Sequence, residues 1–227
     1  EKATPKSLSF MVRYTSGVIC VPMEGAALDR LELPLMTQQN MERMRTAYTI
    51  SVDAARDVTT GISAADRART IRLLADPKTQ PADLVRPGHV FPLRYRAGGV
   101  LRRSGHTEAA VDLARLAGLR PAGVLAEIVN DDGTMARLPQ LLKFAKKHKL
   151  KICSIASLIE HRRTREKLVE PVEVVKMPTD YGDFDLHLYR SKVDGQHHVA
   201  LVRGDITGRK GVLVRVHSEC LTGDVFG

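Results

Sequence analysis

The spacing of hydrophobic residues changes character near Val169. Before that point, short apolar or β-branched runs, typical of strands, alternate with stretches whose apolar residues recur every three or four positions, as on one face of a helix. After it, turn residues separate strand-like runs and no helical pattern occurs. The predicted helices are Leu8–Arg13, Ala26–Leu31, Ala64–Ala75, Ala109–Ala117, Leu138–His148 and Ser157–Lys167, and the predicted strands are Gly17–Pro22, Ala47–Asp53, Val90–Leu93, Gly123–Val129, Lys151–Ile155, Val172–Val175, Phe184–Tyr189, His198–Arg203 and Val212–His217.

This change predicts two domains. Alternating strands and helices favour an α/β (α+β) fold for residues 1–168, with a mixed sheet flanked by helices. Residues 169–227 are expected to form the β-rich start of a second, truncated domain. Pro92 suggests that the strand Val90–Leu93 lies at a sheet edge. Ser63, with Asp66 three residues later, predicts the N-terminal cap of a helix.

Composition excludes several classes of protein. The formal net charge of +9 permits binding to nucleic acid or to an acidic substrate, but an aromatic content of 4% without Trp argues against base stacking. No apolar run approaches the length of a membrane span. Three widely separated cysteines form no recognisable disulfide framework, so we expect a cytoplasmic protein. The chain starts without Met, so we expect it to begin inside a longer protein.

The stretch Gly98–Glu108 combines a glycine loop, two arginines and the start of a helix. Free N–H groups at a helix start attract anions, and arginine adds a forked, charged donor. The pattern predicts Thr107 as the helix N-cap and Arg103 as an anion ligand. His106 stands at the mouth of this site, where an imidazole can bind a metal or move a proton. The alternative is a capped helix with two solvated arginines.

Other residues suit proton transfer or ligand binding. Glu127 interrupts an apolar run, where burial of a carboxylate is costly unless it is paired, and functional sites collect such groups. His89 follows Pro87-Gly88 in a turn and suits acid–base chemistry, although most turn histidines are surface residues. Thr60 lies at a second helix start, where simple capping is the alternative, and Cys20 suits an apolar core. Together they fit a small phosphorylated metabolite, and no dinucleotide or P-loop motif is present.

Four motifs in order carry a family resemblance over about residues 1–168. Thr59–Arg67, Arg86–Leu93, Gly98–Glu108 and Pro121–Glu127 resemble 3,4-dihydroxy-2-butanone 4-phosphate synthase of riboflavin biosynthesis. The tail Arg215–Asp224 resembles the start of GTP cyclohydrolase II, and the two enzymes are fused in bifunctional riboflavin proteins.

The resemblance implies a lyase that converts ribulose 5-phosphate to formate and 3,4-dihydroxy-2-butanone 4-phosphate. It implies magnesium, with manganese as a possible substitute, and a homodimer with active sites near the subunit interface, without nucleic-acid or membrane partners. It assigns catalysis to His89 and Glu127, and a magnesium ligand to His106. The resemblance assigns substrate contacts to Arg103, Ser104, Gly105, His106, Thr107 and Glu127, and we also count Thr60 and Cys20 among the candidate substrate contacts.

The resemblance also concerns the two ends. In the family an acidic loop that adds a magnesium ligand precedes the equivalent of Glu1, so we expect this chain alone to bind magnesium weakly and release little formate. In a complete second domain, Cys220 would bind zinc, whereas here we expect no zinc and no GTP hydrolysis. The alternatives are a catalytically inactive dimerisation or scaffold domain, or a basic nucleic-acid-binding module on the same fold. The GTP contacts of a complete second domain would be Arg215, Val216, His217, Ser218 and Glu219.

Overall fold

The computed structural model describes residues 2–218, 220 and 223–224. The chain separates into two compact units, Glu1–Lys167 and Leu168–Gly227. Within the described residues, no helix has the length and apolar content that crossing a membrane requires.

The first unit contains a three-stranded mixed sheet. Its strands are β1 (Cys20–Met23), β2 (Val52–Ala54) and β3 (Leu84–Arg94). Their order is β1-β3-β2, with β1 parallel and β2 antiparallel to β3. A mixed sheet was expected, so the predicted fold class is confirmed.

The central position of β3 contradicts the prediction of an edge strand around Pro92. Pro92 has no N–H, but its carbonyl accepts hydrogen bonds from the backbone N (3.0 Å) and the Oγ1 (2.9 Å) of Thr49. One strand position can therefore lose a donor while the acceptor keeps the neighbouring segment in place.

Helices pack around this sheet, and the apolar core lies between them. Helices α1 and α3 contact each other, and Leu8 of α1 and Ile71 of α3 belong to the same buried cluster as Val21 and Val90 of the sheet. The predicted cap of α3 is present, because Ser63 Oγ accepts from Asp66 N at 3.0 Å. The helices are α1 (Pro5–Thr15), α2 (Gly25–Arg30), α3 (Ala64–Ala75), α4 (His106–Leu116), α5 (Leu138–His148) and α6 (Ile155–Arg165).

Two local predictions about helix starts are wrong. Helix α4 begins at His106 after an N-cap at Gly105, so Thr107 is a buried first-turn residue and not the cap. No strand forms at Lys151–Ile155, because Ser154 accepts from Ser157 N at 3.1 Å and begins α6 instead. At α6 a local side-chain cap decided the start of the helix, against the apolar pattern, whereas α4 begins after Gly105 without a side-chain cap.

The segment predicted as the strand Gly123–Val129 pairs only at isolated positions. Leu125 exchanges two backbone hydrogen bonds with Cys20, each 3.0 Å long, so the segment runs antiparallel to β1 on its outer side. Glu127 is exposed there, while its neighbours are half-buried. The premise that Glu127 is a carboxylate enclosed in an apolar strand is therefore wrong, because an edge segment leaves one side open to water.

The second unit is an antiparallel sheet in the order β4-β5-β6. Its strands are β4 (Val169–Thr179), β5 (Gly182–Ser191) and β6 (His197–Val202). Three predicted strands are thus present. Val172–Val175 lies within β4, Phe184–Tyr189 lies within β5, and His198–Arg203 extends one residue beyond β6. The fourth, Val212–His217, forms no strand in the described chain. Leu213 in this segment is 98% exposed, and no described strand pairs with the segment.

Candidate active site

His89 is held by a carboxylate from the neighbouring strand. Its Nδ1 lies 2.6 Å from Oδ2 of Asp53, and its backbone N donates to Oδ1 of the same residue at 3.0 Å. The Asp53 side chain is 9% exposed, whereas that of His89 is 43% exposed. A carboxylate at Nδ1 favours the tautomer that carries its proton there, so Nε2 is left as a solvent-facing acceptor.

The threonine loop before α3 lies beside this pair. Asp66, on the first turn of α3, accepts from Thr59 Oγ1 at 2.7 Å and from Gly61 N at 3.1 Å. These hydrogen bonds and that of Ser63 lower the pKa of Asp66. Gly61 packs against Asp53 and His89 so closely that a Cβ would overlap both. Thr60, the residue before Gly61, is exposed.

Cys20, Tyr48 and Glu127 form a second cluster. Burial and, to a smaller extent, the nearby Glu127 carboxylate raise the pKa of the Cys20 thiol to about 11, against a hydrogen bond with Tyr48 that lowers it. Burial also raises the pKa of Tyr48, with contributions from Cys20 and Glu127. Cys20 therefore stays a neutral thiol at neutral pH and lies below the surface that Glu127 exposes.

Two nitrogens of the Arg103 guanidinium donate hydrogen bonds within the protein. Its Nη1 donates to Oε2 of Glu108 at 2.6 Å, and its Nη2 donates to the carbonyl of Met44 at 2.9 Å. Glu108 is 1% exposed and also accepts from Arg96 N at 3.1 Å. A Cβ at Gly105 would clash with the side-chain ends of both Arg103 and Glu108, so a larger residue there would displace this ion pair. An arginine has five N–H donors, and this arrangement leaves some of them for a ligand.

The residues that follow Arg103 line the start of α4. Ser104 and His106 are exposed, and Thr107 is buried. Among the residues that the structure describes, no side chain caps this helix, so its first backbone N–H groups lack a side-chain acceptor there. Ala110, one turn after His106 on the same helix, packs against Gly123.

The structure connects these clusters through two elements. Phe91 lies two residues after His89 on β3, pairs with Cys20 and contacts the Tyr48 ring, so the first two clusters share a face of the sheet. The loop that carries Glu42 also contacts Arg103, because Arg103 Nη2 donates to the carbonyl of Met44, and the Glu42 carboxylate is among the groups that raise the pKa of Tyr48. Among the described residues, no hydrogen bond or ion pair joins His89 to Glu127 or to His106.

The sequence did not single out Tyr48, Asp53 or Glu108 as members of the site. Asp53 ends a β-branched run, and Glu108 was named only as the last residue of the stretch Gly98–Glu108. A carboxylate in a predicted strand drew attention to Glu127. The same signal was usable for Asp53, the last residue of the predicted strand Ala47–Asp53. The partner of Asp53 lies 36 positions away, and those of Glu108 lie 5 and 12 positions away; the spacing of apolar residues does not reveal such contacts.

The described residues do not form a magnesium donor set. No three His, Cys, Asp or Glu side chains in the described part of the chain gather closely enough to hold a metal. Magnesium prefers oxygen ligands in an octahedron, and His106 offers a single nitrogen. His106 alone therefore does not fit a complete magnesium site.

The predicted residues of the tail are exposed. Asp224 accepts from Cys220 N at 2.7 Å and lies 2.8 Å from His217 Nε2, and these contacts lower the pKa of Asp224. The side chains of Cys220, Arg215, Val216, His217 and Ser218 lie at the surface, while Glu219 lies outside the described residues.

Comparison with known families divides the chain as its two units do. Residues 1–161 match the model of 3,4-dihydroxy-2-butanone 4-phosphate synthase, and residues 170–227 match that of GTP cyclohydrolase II. The riboflavin biosynthesis protein RibBA of Salinispora arenicola is 63% identical over 227 residues, which cover 100% of this chain and 54% of that protein. The chain thus spans about half the length of such curated relatives.

Solved structures agree with this assignment. RibBX, a two-domain 3,4-dihydroxy-2-butanone 4-phosphate synthase from A. baumannii, is 45% identical with a TM-score of 0.79, over 88% of this chain and 59% of that one. A synthase solved in complex with two magnesium ions is 46% identical with a TM-score of 0.70, over 73% of this chain and 82% of that one. The chain therefore belongs to the 3,4-dihydroxy-2-butanone 4-phosphate synthase family.

Proposed function

We propose that this protein converts ribulose 5-phosphate to 3,4-dihydroxy-2-butanone 4-phosphate and formate, as a carbon–carbon lyase of riboflavin biosynthesis. The observation that carries the proposal is the exposed imidazole of His89, fixed by the buried carboxylate of Asp53 at 2.6 Å. Family membership supports the reaction. A nucleic-acid-binding module or an inactive scaffold is not favoured, because neither role needs such a pair.

The reaction needs proton transfer and no outside oxidant. Formic acid and the four-carbon product together contain the atoms of the substrate, so the enzyme rearranges bonds within one molecule. His89 Nε2 removes the carbon-bound proton next to the carbonyl, which leaves an enediolate, and the Asp53 carboxylate stabilises the imidazolium that forms. Asp53 acts through His89 and does not contact the substrate in this account.

Glu127 is the second proton-transfer group in this proposal. Its carboxylate is exposed, and the neutral thiol of Cys20 and the phenol of Tyr48 lie close to it. These two groups can donate weak hydrogen bonds, and both resist ionisation, so they add no competing negative charge. Cys20 serves as the floor of the site, and the exposed Thr60 contacts a substrate hydroxyl beside His89.

The substrate phosphate is proposed to bind at the start of α4. The first N–H groups of this helix have no side-chain cap, and Arg103 keeps donors beyond those used by Glu108 and Met44. Ser104 and Thr107 supply hydroxyl groups, and Gly105 lets the backbone come close. The His106 imidazole lies on the same turn and faces solvent.

We further propose that the protein uses magnesium, on the ground that a related synthase was solved with two magnesium ions. The ion would polarise substrate oxygens, and His106 would supply one ligand. The described residues leave that donor set incomplete, so the proton-transfer steps above rest only on side chains of this chain. Manganese is expected to substitute for magnesium.

The remaining features of the whole protein are also proposals. We propose a homodimer, a reducing cytoplasmic location consistent with three unbridged cysteines, and a second activity of GTP cyclohydrolase II type supported by the match of residues 170–227. Within that second activity, Cys220 would bind zinc and the stretch Arg215–Glu219 would contact GTP.

The test is direct detection of both products. Ribulose 5-phosphate is incubated with the protein at its natural length, with and without magnesium, and the products are followed by NMR. One formate should appear for each substrate consumed, together with the four-carbon phosphate. Substrate that remains unchanged at high protein concentration with magnesium present would contradict the proposal.

A further inference from the structure

A buried ion pair between Asp112 and Arg162 holds the loop that carries Arg103. Asp112 on α4 is 2% exposed and accepts three hydrogen bonds, from Val100 N at 2.8 Å, from the Tyr95 hydroxyl at 3.1 Å and from Arg162 Nη1 at 2.7 Å. Arg162, from α6, has a side chain that is 13% exposed. Its Nη1 also donates to the carbonyl of Gly98 at 3.1 Å.

These contacts hold the loop on both sides of Gly99. Arg162 holds the residue before it and Asp112 the residue after it. Gly99 has φ +65°, and a Cβ there would overlap the Asp112 carboxylate, so the backbone lies directly on the ion pair. The Gly99 carbonyl in turn accepts from Arg103 N at 3.0 Å. The backbone of Arg103 is therefore hydrogen-bonded to the residue, Gly99, that lies against the ion pair.

The far side of the Arg162 guanidinium is fixed as well. Its Nε and Nη2 donate to the two carboxylate oxygens of Glu166 at 2.6 Å and 2.8 Å. The guanidinium thus contacts Glu166, Asp112 and the Gly98 carbonyl at once. A lysine ammonium has no such fork and cannot serve all three acceptors at these distances.

We infer that Arg162 is a positioning residue for substrate binding, because it fixes the loop Gly98–Gly105 through Asp112 and the Gly98 carbonyl. The inference rests on the proposed function only in so far as that loop binds the substrate phosphate. Arg162 lies one residue beyond the stretch that matches the synthase family model, so the substrate site depends on a residue outside that match.

The test compares substitutions on one helix in the protein at its natural length. Arg162→Gln removes the charge, and Arg162→Lys keeps the charge without the fork. Arg163→Gln is the matched control, because Arg163 is exposed on the same helix. For Arg162→Gln we expect the KM for ribulose 5-phosphate to rise about fivefold or more with kcat nearly unchanged. Arg162→Lys should give an intermediate KM at nearly wild-type Tm, and Arg163→Gln should resemble the wild type.

A second measurement does not depend on turnover. Binding of inorganic phosphate is followed by the NMR shifts of the Gly105 and His106 amides, and Arg162→Gln should weaken it by about the same factor as KM. A wild type that binds phosphate without releasing formate would remove the proposed reaction and leave this inference standing. Phosphate affinity and KM within twofold of wild type in both Arg162 variants would overturn the inference, even with a lower Tm. Absence of phosphate shifts in the wild type would overturn it too.

Discussion

Arg103 Nη1 donates to Oε2 of Glu108 at 2.6 Å, although both residues belong to the loop and helix start that we assign to phosphate binding. The buried carboxylate takes one edge of the guanidinium and fixes its plane. A site for an anion thus contains an internal anion, and its positive charge toward a ligand comes from the remaining guanidinium donors and the open N–H groups of α4.

Substitution of Arg103 should separate these two roles. Arg103→Lys keeps a cation near Glu108 but loses the fork, so we expect the KM for ribulose 5-phosphate to rise about tenfold with little change in stability. Arg103→Met leaves Glu108 buried without its cation, and should lower the free energy of unfolding by about 3–5 kcal/mol. Steady-state kinetics and urea unfolding measure both effects. Unchanged KM in Arg103→Lys would exclude Arg103 from phosphate binding.

The Asp53–His89 pair predicts a large effect from a small change. Asp53→Asn keeps the shape of the side chain but removes the charge and can reverse the tautomer of His89. We expect kcat to fall by about a hundredfold to ten-thousandfold, the usual range for general acid–base catalysis. A pH profile of kcat should change its acidic limb in this variant. Equal kcat in wild type and variant would mean that the pair only supports the fold.

Because Glu127 is exposed, its role in the reaction can be tested without a large effect on stability. Because the side chain faces solvent, Glu127→Gln should leave Tm within about a degree of wild type, as surface substitutions usually do. Formate release should nevertheless be lost, while ribulose 5-phosphate still binds. Gross unfolding of the variant would show a structural carboxylate, and full activity would remove Glu127 from the reaction.

The raised pKa of Cys20 predicts a pH dependence with a defined sign. The folded protein holds the thiol proton to a pKa of about 11, against an ordinary value of 9.0. Between these values the folded state binds more protons than the unfolded state, so the free energy of unfolding should fall as pH rises from 9 to 11. Cys20→Ala should flatten this decline. At pH 8, iodoacetamide should label the exposed Cys153 far faster than the buried Cys20, and equal rates would contradict the assignment.

Ser63 and Thr60 form a reciprocal pair for testing stability against binding. Ser63 caps α3, so Ser63→Ala should cost about 1 kcal/mol of stability with KM unchanged. Thr60 is exposed on the same turn, so Thr60→Ala should raise KM with stability unchanged. Urea midpoints and KM values for the two variants check this, and the reverse pattern would mean that the roles are exchanged.

Local signals in the sequence predicted the elements whose causes are local. The Ser63 cap, the end of α4 before Gly118 and the full extent of α5 depend on neighbours a few residues apart. The exposure of Glu127 depends on which side of β1 the segment occupies, and the start of α4 depends on space that Gly105 leaves for Arg103 and Glu108. Such packing joins residues that are distant in the sequence, and the spacing of hydrophobic residues does not predict it.

The partners of the site residues escaped for the same reason. Asp53 reaches His89 because β2 pairs with β3 across 36 positions, and Arg162 reaches Asp112 across 50. The residue patterns and the family resemblance both suggested the roles of His89, Glu127 and Arg103, but the supporting carboxylates became visible only in three dimensions.

The most direct measurement is formate release from ribulose 5-phosphate by the wild-type protein and by His89→Gln, side by side, at natural length with magnesium present. The variant keeps a side chain of similar size and polarity but cannot accept the substrate proton. We predict stoichiometric formate from the wild type and none above background from a folded His89→Gln protein that still binds substrate. Equal formate release by the two proteins would contradict the assignment of His89 as the base.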